Sequence, residues 1–275
     1  MSATASILRQ ITGTTALYGT IAHPSDHVRA PMLFNKIFQE KQLDKVMVPI
    51  DVSPDNLAAT VAGLRAMGNF KGLAVTIPHK LALASLCDEL GLAAQITGAV
   101  NAVRFDEDGR LYGDNFDGHG FVAGLKGEGR QIAGKNIVLM GAGGAARAIA
   151  LSLAQSEIES LVIANRTPEK ATEILTQISP HAGTTQLSDC AANEVDLSAA
   201  DIVINATSLG LHEGDRLPFK LDLLKPSCLV CDIIMIPAET ALLQQARSRG
   251  FEIQYGRHML DYQLDLIARF IGAYE

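Results

Sequence analysis

Residues 22–31 read AHPSDHVRAP and place two histidines, a serine, an aspartate and an arginine within ten residues. Metal binding is one chemistry for such a set, but Pro24 prevents the helix that would align His23 with His27, and no further ligand cluster follows. A nucleophilic triad is excluded because adjacent residues cannot form the relay that it needs. A substrate clamp and a merely crowded loop, in which Arg29 points to solvent, both remain open from these residues alone.

Lys80 and Asp117 are candidates for acid–base chemistry. Lys80 follows the strand-like segment GLAVTIP and opens a predicted helix, where a cation is mildly unfavourable. Asp117 lies in GDNFDG, at a predicted strand-to-helix turn. A carboxylate that holds an ammonium group in place makes a plausible proton-transfer pair. The residues alone leave open that Lys80 is a surface lysine and Asp117 an N-cap.

The segment GAGGAA (141–146) stands between an apolar strand, NIVLM, and a strong helix, ARAIALSLAQ. This is the GxGxxA form of the dinucleotide fingerprint. Gly141 allows the tight turn, Gly143 lets the backbone approach a pyrophosphate, and Gly144 and Ala145 begin the helix whose N–H groups face the phosphate. The alternative is a plain turn between strand and helix.

The end of the next strand, LVIAN, indicates which cofactor is bound. NAD sites usually carry an acid there, but this strand ends at Asn165, Arg166 and Thr167. A guanidinium is a planar partner for a 2′-phosphate, and Thr167 adds a hydroxyl. The sequence therefore favours NADP, beside the alternative that Arg166 is a solvated arginine at a helix start.

The cysteines favour a structural role. Cys228 and Cys231 form a CxxC, which could be redox-active or half of a zinc site. They lie in SCLVCDIIMI, which has the pattern of a buried strand, where residues three apart point to opposite faces. We therefore expect small core side chains, and no metal site.

These candidates need strand ends to position them, and the chain supplies strands alternating with helical segments. This pattern predicts an α/β fold with two domains. We expect a substrate and catalytic domain over residues 1–113, completed by a helix in 258–275 that returns to it. Residues 114–257 are predicted to form a doubly wound, Rossmann-like NADP-binding domain.

Composition narrows the function classes. The chain has 275 residues and a formal net charge of −7, without a cluster of basic residues, which argues against nucleic-acid binding. No segment has the length of a membrane span, and the start lacks the apolar core of a signal peptide. We expect a cytoplasmic protein that acts on a small molecule, as a monomer or homodimer.

Several motifs, taken together, resemble those of the shikimate dehydrogenase family. They occur in the family's order along nearly the whole chain: VTIPHK (75–80), GAVNAV (98–103), GDNFDGHGF (113–121), GAGGAARA (141–148), NRT (165–167), NATSLG (205–210), CDIIMIPAET (231–240) and GRHMLDYQ (256–263). The resemblance implies NADP-dependent, reversible reduction of 3-dehydroshikimate to shikimate.

The resemblance also implies roles for individual residues. Lys80 and Asp117 would be the catalytic pair that moves a proton to or from the substrate hydroxyl. Substrate contacts would come from Thr76, Asn101 and Gln263, and the nicotinamide end of the cofactor would lie near Asn205, Thr207 and Gly256. A polyhydroxylated acid needs such fixed polar partners, because an unpaired buried polar group is costly.

The chain departs from the family pattern where substrate would bind. The family's first loop carries two serines that bind the substrate carboxylate, and these positions are Val28 and Ala30. At three further positions the family has a polar side chain, whereas this chain has Ala74, Phe116 and Met235.

Because of these departures, we expect that Arg29 or a neighbour such as His27 takes over anion recognition. Quinate or another cyclic hydroxy acid is the alternative substrate. A weakly catalytic NADP-binding sensor is the alternative from another class, although a sensor has no need of a proton-transfer pair.

Overall fold

The computed structural model describes residues 10–26 and 28–274, and the chain forms two compact units. The first unit comprises the residues up to Ala94, Gly98–Asp114 and the residues from Ile267 onward. The second comprises Gln95–Thr97 and Asn115–Leu266. Each unit is built on a sheet with helices, which confirms the predicted α/β class with a Rossmann-like second part.

The first unit has a mixed sheet with the strand order β2-β1-β3-β5-β6-β4. Its strands are β1 (Ala16–Ala22), β2 (Lys45–Asp51), β3 (Phe70–Val75), β4 (Glu89–Leu90), β5 (Ala102–Phe105) and β6 (Leu111–Asp114). Strands β1, β2 and β3 are parallel, so their carboxyl ends lie at one edge of the sheet. Its helices are α1 (Ala30–Glu40), α2 (Leu57–Arg65), α3 (Lys80–Ala84) and α4 (Leu92–Thr97). The last three residues of α4 are assigned to the second unit.

Two segments of the first unit differ from their predicted structure. The helical pattern over 78–90 gives only the short helix α3, because the chain then turns to pair β4 with β6. In this turn the Asp88 N–H donates to the Leu111 carbonyl, and the Leu111 N–H donates to the Asp88 carboxylate. The strand predicted over 98–103 begins only at Ala102. In the segment after α3, tertiary pairing therefore overrides the local pattern.

The second unit has a parallel sheet with the strand order β12-β11-β10-β7-β8-β9, the doubly wound order of a dinucleotide-binding domain. Its strands are β7 (Asn136–Met140), β8 (Ser160–Asn165), β9 (Gln186–Ala191), β10 (Ile202–Asn205), β11 (Leu229–Asp232) and β12 (Glu252–Gln254). Its helices are α5 (Asp117–Gly127), α6 (Gly144–Ala154), α7 (Pro168–Ile178), α8 (Ala241–Ser248) and most of α9 (Arg257–Phe270).

Helix α9 packs on α5 within the second unit. A Cβ added to Gly120 would lie 2.6 Å from the Gln263 Cβ, and one added to Gly124 would lie 3.0 Å from the His258 carbonyl oxygen. This close approach accounts for the membership of residues up to Leu266 in the second unit, whereas the sequence predicted that residues 258–275 complete the first. Along the described ranges, no helix is long and apolar enough to cross a membrane.

Candidate active site

In the first unit, Thr76 directly follows β3, and backbone hydrogen bonds link the segment of Asn101 to the end of β3 and to Lys80. The Val75 N–H donates to the Asn101 carbonyl at 2.8 Å, and the Val100 N–H donates to the Lys80 carbonyl at 2.9 Å. Asn101 is buried, while Thr76 and Lys80 are half-buried. A lysine and an amide fixed at one strand end can act on the oxygen atoms of a small polar molecule.

His79 fixes the start of the helix that carries Lys80. Its ring is almost completely buried, at 1% exposure, and its Nε2 lies 2.8 Å from the Val52 carbonyl oxygen. The His79 N–H donates to the Thr76 carbonyl, and its carbonyl accepts from the Leu83 N–H in α3. Sequence reasoning missed this residue, although its place directly before Lys80 was a signal.

Within residues 22–31, the first residues are hydrogen-bonded to Asp51 at the end of β2, and Arg29 lies at the start of α1. His23 Nδ1 lies 2.7 Å from Asp51 Oδ1, and the Ser25 N–H donates to Asp51 Oδ2. Arg29 is exposed at the start of α1. The predicted substrate residue His27 lies outside the described residues.

In the second unit, Asp117 is buried at the first position of α5. Its N–H donates to the Asn115 side-chain carbonyl at 3.0 Å, which forms an Asx turn that leads into the helix. Gly118, the next residue, allows α5 to touch α6, because a Cβ there would lie 2.0 Å from the Ala148 carbonyl oxygen. Gln263 is buried on α9 where that helix meets Gly120, one turn of α5 beyond Asp117. The structure therefore brings these two predicted residues to one pair of helices.

The glycine-rich turn after β7 has the form that a pyrophosphate needs. Gly141 has φ +116°, and a Cβ there would lie 2.6 Å from the Ala206 carbonyl oxygen, so the position requires glycine. Gly143 is the N-cap of α6, and no atom lies within 4 Å of a Cβ built on Gly143 or Gly144. Ala145 is half-buried and follows them in the first turn. The unpaired N–H groups of a helix start, open to a ligand, fit a dinucleotide phosphate.

The end of β8 presents the predicted adenosine-side residues. Asn165 ends the strand, and its amide donates to the Thr167 carbonyl at 2.8 Å. Arg166 and Thr167 are exposed at the start of α7. This placement leaves the guanidinium accessible to a phosphate from solvent.

After β10, a buried polar network holds the loop that carries Thr207. Asn205 is fully buried; its amide oxygen accepts from the Thr207 N–H and hydroxyl, and its NH₂ donates to the Leu209 carbonyl and to Asp232. Its amide group is thus used inside the protein, and Asn205 can reach a ligand only through the loop it shapes. Gly256 lies near this network, since a Cβ there would be 2.4 Å from the Ile234 carbonyl oxygen.

Asp232 is the centre of this network, and sequence reasoning gave it no role. It is fully buried and accepts hydrogen bonds from the Thr240 hydroxyl at 2.8 Å, from the Asn205 amide and from the Ile234 N–H. Burial raises the pKa of this carboxyl group above its ordinary value, although its hydrogen bonds oppose that shift. A signal was available, because CDII is an acid within an otherwise apolar strand pattern.

The two cysteines of the CxxC are buried core residues, as expected. Burial raises the pKa of the Cys228 thiol to about 11, and it raises the pKa of the Cys231 thiol as well. A protonated thiol is a poor nucleophile and metal ligand. Within the two described ranges, no group of three or more His, Cys, Asp or Glu side chains could hold a metal ion.

Comparison with known proteins gives matches along most of the chain. Residues 20–103 match the family model described as shikimate dehydrogenase substrate binding domain, and residues 125–212 match that of shikimate / quinate 5-dehydrogenase. The shikimate dehydrogenase (NADP(+)) of Rubrobacter xylanophilus is 42% identical over 92% of this chain and 89% of its own length.

Solved structures are similar to this chain over nearly its whole length. Shikimate 5-dehydrogenase from Listeria monocytogenes, solved with shikimate and NAD, has a TM-score of 0.87 and 32% identity, covering 98% of this chain and 96% of its own. The ligand-free 5-ketofructose reductase of a Gluconobacter species has a TM-score of 0.83 and 32% identity, covering 96% of this chain and 95% of its own.

Proposed function

Because the chain belongs to the shikimate dehydrogenase family, we propose that it is an NADP-dependent oxidoreductase that interconverts 3-dehydroshikimate and shikimate. The observation that carries this proposal is the arrangement at the carboxyl end of β3. There the Val75 N–H at the strand end donates to the Asn101 carbonyl, and the N–H of the neighbouring Val100 donates to the Lys80 carbonyl. A proton donor and a hydrogen-bonding amide in fixed positions are what the reduction of a hydroxylated ring ketone requires.

The proposed mechanism assigns the proton to this chain's own residues. The Lys80 ammonium donates a proton to the ketone oxygen as it becomes a hydroxyl group, and it recovers that proton in the reverse reaction. The family resemblance assigns Asp117 as the carboxylate that would stabilise the ammonium form. Thr76, Asn101 and Gln263 orient the ring by hydrogen bonds to its hydroxyl groups. NADP, when bound, supplies or accepts the hydride at the carbon that bears this oxygen.

The cofactor assignment rests on two features of the second unit. The open backbone of Gly143 and Gly144 at the start of α6 fits the pyrophosphate, and the exposed Arg166 fits a 2′-phosphate. Thr207 and Gly256 would line the nicotinamide end. We also propose that the protein acts in the cytoplasm as a monomer or homodimer.

A second candidate substrate is a polyhydroxy ketone without a carboxylate. Val28 and Ala30 are half-buried alkyl side chains at the positions where the family's carboxylate-binding serines would stand. The similarity to a 5-ketofructose reductase is consistent with this candidate. Quinate is the alternative within the same chemistry. None of the described features favours the sensor hypothesis.

A substrate panel tests the proposal. NADP⁺ and NAD⁺ are each combined with shikimate and with quinate, NADPH and NADH are each combined with 5-ketofructose, and NAD(P)H absorbance is followed. We expect turnover of shikimate with NADP⁺. Turnover of 5-ketofructose alone would replace the first candidate with the second, and no turnover of any compound would contradict both.

The Lys80→Ala variant tests the assigned proton transfer. We expect kcat to fall by roughly 10²–10⁴-fold, the usual size of an acid–base contribution, while NADP⁺ binding is retained in a calorimetric titration. Lys71→Ala is the matched control, because Lys71 is a half-buried lysine of β3 whose ammonium donates to the Gly68 carbonyl. Equal turnover in the two variants would refute the role of Lys80.

A further inference from the structure

His23 and Asp51 form a pair at the carboxyl edge of the first unit's sheet. His23 directly follows β1, and Asp51 is the last residue of its parallel neighbour β2. The Nδ1 of the ring lies 2.7 Å from Asp51 Oδ1, and the other carboxylate oxygen accepts from the Ser25 N–H at 3.0 Å. Both side chains are about half exposed, at 46% and 47%. The ring is therefore oriented by the protein and still open to a ligand.

This pair lies beside the segment that carries Lys80. The His23 N–H donates to the Ile77 carbonyl at 3.3 Å, three residues before Lys80. Val52, which follows Asp51, accepts a hydrogen bond from the buried ring of His79 through its carbonyl oxygen. Ligands of parallel α/β sheets bind outside the carboxyl ends of the strands, and this is the edge at which the pair stands.

The hydrogen bond to Asp51 determines what the ring can offer. With Nδ1–H donating to a carboxylate, the neutral ring keeps the Nε2 lone pair as an acceptor. Hydrogen bonds from His23 and from Ser25 lower the pKa of the Asp51 carboxyl group, so the orienting partner is ionised at neutral pH. A substrate hydroxyl group is a suitable donor to such a nitrogen. An exposed ion pair with no ligand, by contrast, would contribute little to stability and need no preserved orientation.

We propose that His23, oriented by Asp51, is a specificity-determining residue that accepts a hydrogen bond from a hydroxyl group of the substrate. This role rests on the proposed oxidoreductase function and adds a residue that the family resemblance did not assign. Asp51 is a positioning residue, because it acts through the ring of His23. The pair supplies a polar contact on the side of the sheet where Val28 and Ala30 offer none.

Steady-state kinetics of four variants tests the role. We expect His23→Ala to raise the KM for shikimate about tenfold, the effect of one lost hydrogen bond to a desolvated hydroxyl, with kcat and the KM for NADP⁺ within twofold of wild type. His23→Gln restores an amide oxygen near the Nε2 position and should recover part of the loss. Asp51→Asn should give an intermediate KM, because the ring loses its fixed orientation.

Arg65→Gln is the matched control. Arg65 and Asp88 form a half-exposed pair with the same 2.7 Å separation, at the end of α2 that precedes the amino end of β3. Its KM for shikimate should equal that of wild type. Wild-type KM in His23→Ala, or an equal rise in Arg65→Gln, would overturn the role of His23 and leave the proposed function standing.

A second measurement keeps the two proposals distinguishable. If the wild-type chain turns over no compound of the panel, the proposed function fails by itself. The imidazole resonances of His23, assigned by their loss in His23→Gln, are then followed while shikimate, quinate and 5-ketofructose are added. A shift that is absent in Asp51→Asn supports the role, and unchanged resonances with every compound overturn it.

Discussion

Two aspartates stand at equivalent places in the two sheets and have opposite surroundings. Asp51 ends β2 in the first unit, and Asp232 ends β11 in the second, each at the carboxyl end of a parallel strand. Asp232 is fully buried and accepts from the Thr240 hydroxyl, the Asn205 amide and the Ile234 N–H. Asp51 is half exposed and has His23 and the Ser25 backbone as partners.

Their pKa values move in opposite directions for this reason. Removal from water raises the pKa of Asp232, because the ionised form loses hydration that its hydrogen bonds only partly replace. For Asp51, the hydrogen bonds from His23 and from Ser25 lower the pKa, since they favour the ionised form and solvation is retained. An aspartate at the carboxyl end of a parallel strand can thus have two different roles, and its burial determines which of them it has. The buried carboxylate holds a loop of the protein, and the exposed one orients a side chain toward a ligand.

The largest effect is expected for removal of the buried carboxylate. Asp232→Ala leaves the Thr240 hydroxyl, the Asn205 amide and a backbone N–H without their acceptor, so the free energy of unfolding should fall by about 2–4 kcal/mol. Urea unfolding followed by circular dichroism measures this loss. Asp222→Ala is the control, because Asp222 is an exposed acid of the same unit, paired with Arg249. A loss no larger than that of the control would remove the distinction between the two aspartates.

Arg166 tests the same distinction within the second unit. There we expect exposed polar side chains to bind the cofactor and buried ones to stabilise the fold. Arg166→Gln should raise the KM for NADP⁺ about tenfold, the effect of losing a charge-assisted hydrogen bond to phosphate, and leave that for NAD⁺ unchanged. The unfolding free energy should equal that of wild type. Arg249→Gln, an exposed arginine at the end of α8, serves as the control. Parallel changes in both KM values would contradict the assignment to the 2′-phosphate.

Local patterns predicted much of this fold and the parts of the site that follow strands directly. The apolar run NIVLM, the turn at Gly141 and the helix after it were all predicted from adjacent residues, and the structure contains each of them. The two-domain α/β class followed from the alternation of strands and helices. These features depend on interactions within a few residues, which a sequence displays directly.

The features that sequence reasoning missed depend on distant partners. His23 and Asp51 are 28 residues apart, and Asn205 and Asp232 are 27 apart. Neither spacing forms a periodic pattern, since the parallel register of β1 with β2 and of β10 with β11 brings the pairs together. The segment after α3 was predicted as helix for the same reason, because only pairing of β4 with β6 ends it. Register between parallel strands is set by the tertiary fold and was not available from local spacing.

The smallest expected effect is the pH dependence of stability, and its sign separates the two aspartates. The raised pKa of Asp232 means that the folded chain binds this proton more tightly than the unfolded chain, so its contribution to stability falls as pH rises from the ordinary value of 3.8 toward the folded pKa. The lowered pKa of Asp51 gives the reverse: its contribution is present above 3.8 and is lost as pH falls through the folded pKa. Urea unfolding of wild type, Asp232→Asn and Asp51→Asn at a series of acidic to neutral pH values gives the difference between wild type and each variant. This difference should decrease with pH for Asp232→Asn and increase for Asp51→Asn. If the two differences changed with pH in the same direction, burial would not distinguish these two carboxylates. The contrast between a buried structural aspartate and an exposed aspartate that orients His23 would then be wrong.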